Sequence, residues 1–156
     1  EPTLHKDLLD FMQKVKEMGF AIKLDSNGTR PHVLREVLER KLVDYLAMDI
    51  KAPFEKYDNV TIRPTNISNI EESIEIIKNS GIDHEFRTTI VKCLLTKDDI
   101  LQIGKIVEGA KRYYLQKFIP TKTNDPAFLN AETYTDEEFE ELRDTIAKYV
   151  EVCGIR

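Results

Sequence analysis

The sequence predicts an α/β fold built on a parallel sheet, and three observations carry that expectation. Short β-branched or apolar runs alternate with longer stretches whose apolar residues recur at helical spacing. Proline, glycine and capping residues stand at the junctions between them. The alternation repeats through four strand-like segments, the pattern of βα units, and fits one domain over residues 1–156.

Residues 4–18 read as a helix, with Leu8, Leu9, Phe11, Met12 and Val15 on one broad apolar stripe. Gly19 stands where a left-handed cap would close it. Residues 20–24 form a short first strand, broken by the turn Asp25-Ser26-Asn27-Gly28. Pro31 suits the first turn of a second helix that runs to residue 41, with Val33, Leu34, Val37 and Leu38 as its apolar positions. Residues 43–50 are rich in apolar side chains, as a strand covered on both faces requires, and Lys51-Ala52-Pro53 ends it. An irregular stretch follows through Tyr57, Arg63 and Pro64.

Ile67, Ile70, Ile74 and Ile77 then mark a helix capped at Gly81. Residues 85–95 form the third strand. Thr96 and Asp99 resemble a capping box before a helix carrying Ile100, Ile103, Ile106 and Val107. Residues 113–119 form the fourth strand. Thr135 and Glu138 make a second capping box, and Phe139, Leu142, Ile146 and Val150 stripe the last helix. Parallel strands joined by helices cross over right-handed. Part of a barrel and an open doubly wound sheet both fit this order, and in either one the chemistry gathers at the C-terminal ends of the strands.

Composition narrows the function classes. Hydrophobic residues make up 41% of the chain, enough for a real core. No apolar run is long enough to span a bilayer, and no basic-then-apolar leader is present. The net charge of −5 argues against nucleic acid as the main ligand. The two cysteines, Cys93 and Cys153, are far apart, which fits a reducing cytoplasm better than a disulfide framework. Both are read as buried small apolar residues.

The candidate site stands at the strand ends. Asp25 and Asn27 follow the first strand, Asp49 and Lys51 close the second, and Arg87 lies inside the third. Asp49 and Lys51 are two apart, so in a strand they share a face. A charge pair there is costly unless it is paired or used, which leaves a structural ion pair and a ligand contact both open. The carboxylates suit an amine, hydroxyls or a cation, whereas Lys51 and Arg87 suit a carboxylate or phosphate. A zwitterion and a phosphorylated molecule fit equally.

Three motifs carry a resemblance. Glu1-Pro2-Thr3-Leu4 resembles the tail of the Gly-Gly-Glu-Pro motif of radical S-adenosylmethionine enzymes. Leu24-Asp25-Ser26-Asn27-Gly28 is similar to the Leu-Asp-Thr-Asn-Gly turn of activases of glycyl radical enzymes. The stretch from Leu42 to Pro53, with Ala47-Met48-Asp49-Ile50-Lys51, is similar to a strand of the proteins that activate anaerobic ribonucleoside-triphosphate reductase.

The resemblance implies a partial (βα)6 TIM-like barrel with its N-terminal strands missing, the C-terminal portion of a longer enzyme. It implies S-adenosylmethionine on a [4Fe–4S] cluster, cleaved by one-electron reduction to a 5′-deoxyadenosyl radical that takes hydrogen from a glycine of the partner enzyme. The electron donor would be flavodoxin- or ferredoxin-like. By position, Glu1 belongs to the strip that holds the methionyl amine, and Asp49 and Lys51 face the methionyl carboxylate and the ribose. Asp25 and Asn27 line the site, Asp25 with Asp49 offers a place for a monovalent cation, and Arg87 is the cationic contact of the third strand. The family's Cys-x-x-x-Cys-x-x-Cys loop is absent, so this chain is expected to hold no cluster and to be inactive by itself. A radical enzyme acting on a small molecule, such as a deazapurine synthase, and a non-catalytic α/β module that binds an anionic metabolite through Lys51 and Arg87 are the alternatives.

Overall fold

The computed structural model describes residues 1–61, 63–120 and 126–156. A 3-10 turn at Pro2–Leu4 leads to α1 (Leu8–Glu17), β1 (Lys23–Ser26), α2 (Pro31–Glu39) and β2 (Tyr45–Asp49). Then come α3 (Tyr57–Val60), α4 (Ile67–Lys78), β3 (Asp83–Ile90), α5 (Lys97–Ile106), β4 (Arg112–Lys117), α6 (Asp136–Ile146) and β5 (Val152–Ile155). The five strands are parallel and lie in the order of the chain, β1-β2-β3-β4-β5.

That order decides between the two architectures. A doubly wound sheet reverses its strand order at a switch point and places helices on both faces. Here the order never reverses, so successive right-handed crossovers put the helices on one face, as in the wall of a βα barrel. Leu24, Leu46, Met48, Ile50, Phe86, Ile90, Tyr113 and Leu115 point to the helix side, all buried. They join Met12 of α1, Leu34 and Val37 of α2, Ile70, Ile74 and Ile77 of α4, Ile100 and Ile103 of α5, and Phe139, Leu142 and Ile146 of α6 in one core. Both capping boxes form, at Thr96 with Asp99 and at Thr135 with Glu138.

Several expected boundaries move, each for a local reason. The first helix starts at Leu8 because Glu1 caps the preceding 3-10 turn, accepting from the Thr3 N–H. The first strand begins at Lys23, since pairing with β2 sets Lys23 opposite Tyr45 and leaves Phe20 exposed. Asp25 and Ser26 are therefore strand residues and not part of a turn. The third strand runs Asp83–Ile90; residues 91–95 turn toward α5, with Leu94 and Leu95 bonding back to the Val91 carbonyl. The fifth strand was not expected: Val152 is exposed, and this short segment is fixed by its ladder to β4.

Candidate functional site

Side chains alternate across a strand, so the residues that face away from the helices are Lys23 and Asp25, Tyr45 and Asp49, Glu85 and Arg87, and Tyr114. The register sets Asp25 opposite Ala47, and Asp49 opposite Arg87. One sheet face is thus apolar and covered, and the other carries charge on β1, β2 and β3. Apolar content in β2 predicted burial on both faces; the odd-numbered positions Tyr45 and Asp49 are only half-buried instead.

At the C-terminal edge of this charged face lies an open cleft of about 300 Å³. Glu1, Asp25, Asn27, Asp49, Lys51 and Arg87 all line it. The fold therefore brings together every candidate that the sequence singled out, from the N-terminal segment and three strands. Gly28 makes room for the closure of β1 into its loop. Its φ is +76°, and a Cβ there would stand 1.9 Å from the Met48 Cε. The Ser73 hydroxyl donates to the Gly28 carbonyl at 2.7 Å, and the Gly28 N–H donates to Ser26 Oγ at 3.0 Å.

Arg87 is the centre of the charge arrangement, with its side chain only 14% exposed. Its Nη1 donates to Asp25 Oδ2 at 2.9 Å, and its Nε donates to Asp49 Oδ1 at 3.0 Å. The guanidinium thus stands between the two carboxylates where a monovalent cation was considered. It is held by the protein's own acids, Asp25 and Asp49. Lys51 Nζ donates to the other Asp49 oxygen at 2.8 Å. Burial pushes the Asp49 carboxyl up, but Lys51 and Arg87 outweigh it and hold the pKa below the usual carboxylate value. Burial works against the Arg87 charge, yet Asp49 and Asp25 raise its pKa further.

Glu1 accepts from Thr3 and Ser26 through Oε1, and from the Asn27 N–H through Oε2 at 2.6 Å. Its carboxylate ties the N-terminal segment to the β1 loop at the cleft mouth. Asn27 turns its carbonyl oxygen inward to accept from the Thr29 N–H and hydroxyl, at 3.0 and 2.7 Å.

Below the cleft lies a residue that sequence reasoning did not single out. Glu85 is a buried acid, its side chain 2% exposed. Arg156 grips it with two hydrogen bonds of 2.9 Å, and the Tyr45 hydroxyl donates to it at 2.8 Å. Burial raises the Glu85 carboxyl, but the Arg156 and Tyr45 bonds hold it below its ordinary value. Tyr45 is pushed up to about 12, first by burial and then by that carboxylate, so it stays a donor. The alternation Asp83-x-Glu85-x-Arg87 was the signal that could have found it, since three charges at strand spacing must share a face.

The cysteines differ from expectation. Cys93 is exposed, because it sits in the turn after β3, and Cys153 on β5 is half-buried. Burial pushes the Cys153 thiol up to about 11, which disfavours the thiolate that ligates metals. A cluster with an open iron position needs three closely spaced thiolates, and these two cysteines, on separate elements, do not fit one. Among the described residues no group of three His, Cys, Asp or Glu side chains is placed to hold a metal ion. The cleft does fit a zwitterionic organic ligand, with carboxylates for an ammonium and Lys51 for a carboxylate. No helix among the described residues is long and apolar enough to cross a membrane.

Comparison with known proteins gives the family and the fold. The family model of the radical SAM superfamily matches residues 1–108. A Methanocaldococcus jannaschii protein named as a glycyl-radical enzyme activating enzyme is 36% identical over 161 residues, covering 100% of this chain and 67% of that protein. A second protein of that organism with the same kind of name is 27% identical over 158 residues, covering 96% of this chain and 58% of its own length. A 7-carboxy-7-deazaguanine synthase of Thermococcus kodakarensis is 35% identical over 86 residues, covering 52% of this chain and 31% of that enzyme. The chain thus spans about two thirds of the first of these relatives and less of the others. Among solved structures, a domain of pyruvate-formate lyase-activating enzyme from Bacteroides vulgatus matches with a TM-score of 0.77 at 15% identity. That match covers 100% of this chain and 94% of that domain, and it shows the same fold.

Proposed function

The chain belongs to the radical SAM superfamily, and from that premise we propose that it forms the C-terminal part of a glycyl-radical enzyme activase whose target is anaerobic ribonucleoside-triphosphate reductase. The observation that supports this reading is the cleft, where Glu1, Asp25, Asn27, Asp49, Lys51 and Arg87 converge from three separate sequence motifs. The names of the two M. jannaschii relatives favour an activase. The choice of reductase rests on the likeness of the stretch from Leu42 to Pro53.

In this reading bound S-adenosylmethionine with a [4Fe–4S] cluster would supply a 5′-deoxyadenosyl radical on one-electron reduction by a flavodoxin- or ferredoxin-like donor. The chain's own residues bind and orient. Lys51 offers its ammonium to the methionyl carboxylate. Asp49, kept ionised by Lys51 and Arg87, accepts from the ribose hydroxyls. Asp25 and Glu1 draw the methionyl amine, and Asn27 closes the wall above it. Arg87 locks Asp25 and Asp49 at one separation, so it acts by positioning both acids. The protein works in a reducing cytoplasm, in keeping with two unpaired cysteines.

A second reading has one specific observation in its favour, the 35% identity to the deazaguanine synthase over 86 residues. There the same radical acts on a small molecule.

The test uses the full-length protein that carries this chain, purified without oxygen, reconstituted with iron and sulfide, and reduced. Formation of 5′-deoxyadenosine that Asp49→Ala and Lys51→Ala abolish supports the site. A glycyl radical signal on the reductase then supports the target. A protein with an intact cluster that makes no 5′-deoxyadenosine ends the reading, and product without a glycyl radical on the reductase removes the named target.

A further inference from the structure

A second cavity, of about 310 Å³, opens on the other side of Lys51. It shares Asn27 and Lys51 with the cofactor cleft, and Tyr57, Arg63 and three threonines complete its polar wall. Among the described residues no carboxylate lines it, although the chain carries a net charge of −5. The neighbouring cleft, by contrast, is lined by Glu1, Asp25 and Asp49.

The threonine hydroxyls donate within the wall, but Asn27, Arg63, Lys51 and Tyr57 each keep donor protons free of an acceptor among the described residues. Asn27 accepts from Thr29 through its carbonyl oxygen, so its amide NH2 has no acceptor among the described residues. The Arg63 guanidinium has no ion-pair partner among them either. The Lys51 ammonium gives a hydrogen bond to Asp49 and keeps protons for a second acceptor. Tyr57 is the most telling, because it is only 2% exposed. Its hydroxyl accepts from the Lys51 backbone N–H at 3.2 Å, and its own proton finds no acceptor among the described residues. Burial lifts this phenol to about 12, so it remains a donor at any physiological pH. Buried donors are nearly always paired, and two cations beside such a donor select a negatively charged acceptor.

We propose that this cavity is an oxyanion subsite that takes the carboxylate or phosphate group of a small ligand, next to but distinct from the cofactor cleft. Tyr57 and Arg63 belong to this cavity alone, so the subsite does not depend on which reactant the enzyme acts on.

The test is a titration of the 15N-labelled full-length protein that carries this chain with inorganic phosphate and with malonate, at constant ionic strength set by chloride. Saturable amide shifts at Asn27, Thr29 and Lys51 with either anion are expected, and the anion that binds identifies the ligand chemistry. Arg63→Ala, an exposed substitution that leaves the core intact, should weaken binding about tenfold. Tyr57→Phe, which keeps the ring, should weaken it by a smaller factor. Excess S-adenosylmethionine should leave the shifts in place. Absence of saturation with both anions, equal affinity in Arg63→Ala, or displacement by S-adenosylmethionine overturns the proposal. Failure of the activase reading is seen separately, in the absence of 5′-deoxyadenosine from the full-length protein.

Discussion

Arg87 lies directly across the sheet from Asp49 and fixes it, with Nε 3.0 Å and Nη2 2.9 Å from the same Oδ1. The remaining Nη1 reaches past Asp49 to Asp25 on β1. One side chain of β3 thereby ties together the acids of two other strands.

Replacing Arg87 by methionine keeps the stem volume and removes the cation. Asp25 and Asp49 then face each other with only lysines nearby, and a partly buried acid loses its partner. The expected loss is about 3 kcal/mol, read as a lower urea midpoint at neutral pH with an unchanged slope. Arg87→Lys should recover only part of it, because an ammonium lacks the planar fork that spans both acids. Native stability in Arg87→Met would show that the bridge contributes nothing.

Glu85 predicts a specific acid limb. Its folded pKa is lowered, so the unfolded chain binds the proton more readily. The stability from its bonds to Arg156 and Tyr45 is complete above the unfolded value of about 4.3. It is lost as the pH falls through the lower folded value, and Asp49 acts with the same sign. Glu85→Gln should cost about 2 kcal/mol at neutral pH and flatten this limb. Denaturation curves at stepped pH from neutral to strongly acidic would check it; an equally steep limb in the variant would assign the acid sensitivity elsewhere.

Gly28→Ala should destabilise the β1 loop by about 2 kcal/mol. A left-handed backbone is unfavourable for alanine by about 1 kcal/mol, and the new methyl collides with the end of a fully buried Met48. The melting temperature reports this loss, and Gly28→Ala should cost less when added to Met48→Ala than when added to the native chain, leaving only the backbone part. Equal melting of Gly28→Ala and the native chain would show that the loop tolerates another backbone conformation.

The amino-acid sequence by itself determined which residues were candidates for the cleft that the fold assembles. Asp25 and Asn27, Asp49 and Lys51, and Arg87 were legible because strand ends in βα folds collect chemistry, and because a charge inside an apolar run has few other reasons to be there. The helices α2, α4, α5 and α6 were legible too, since apolar spacing and local caps are contained within each segment.

What pairs with what was decided only by the tertiary structure. Lys23 opposite Tyr45 and Asp49 opposite Arg87 are register relations between strands 22 and 38 residues apart in sequence, and no local pattern sets such a distance. That register made Asp25 a strand residue, set Arg87 between Asp25 and Asp49, and buried Glu85 under Arg156. It also created β5, whose four residues gain strand structure from the β4 ladder. Local chemistry chooses the side chains, but long-range hydrogen bonding between strands chooses their neighbours, and the neighbours set their charge state and role.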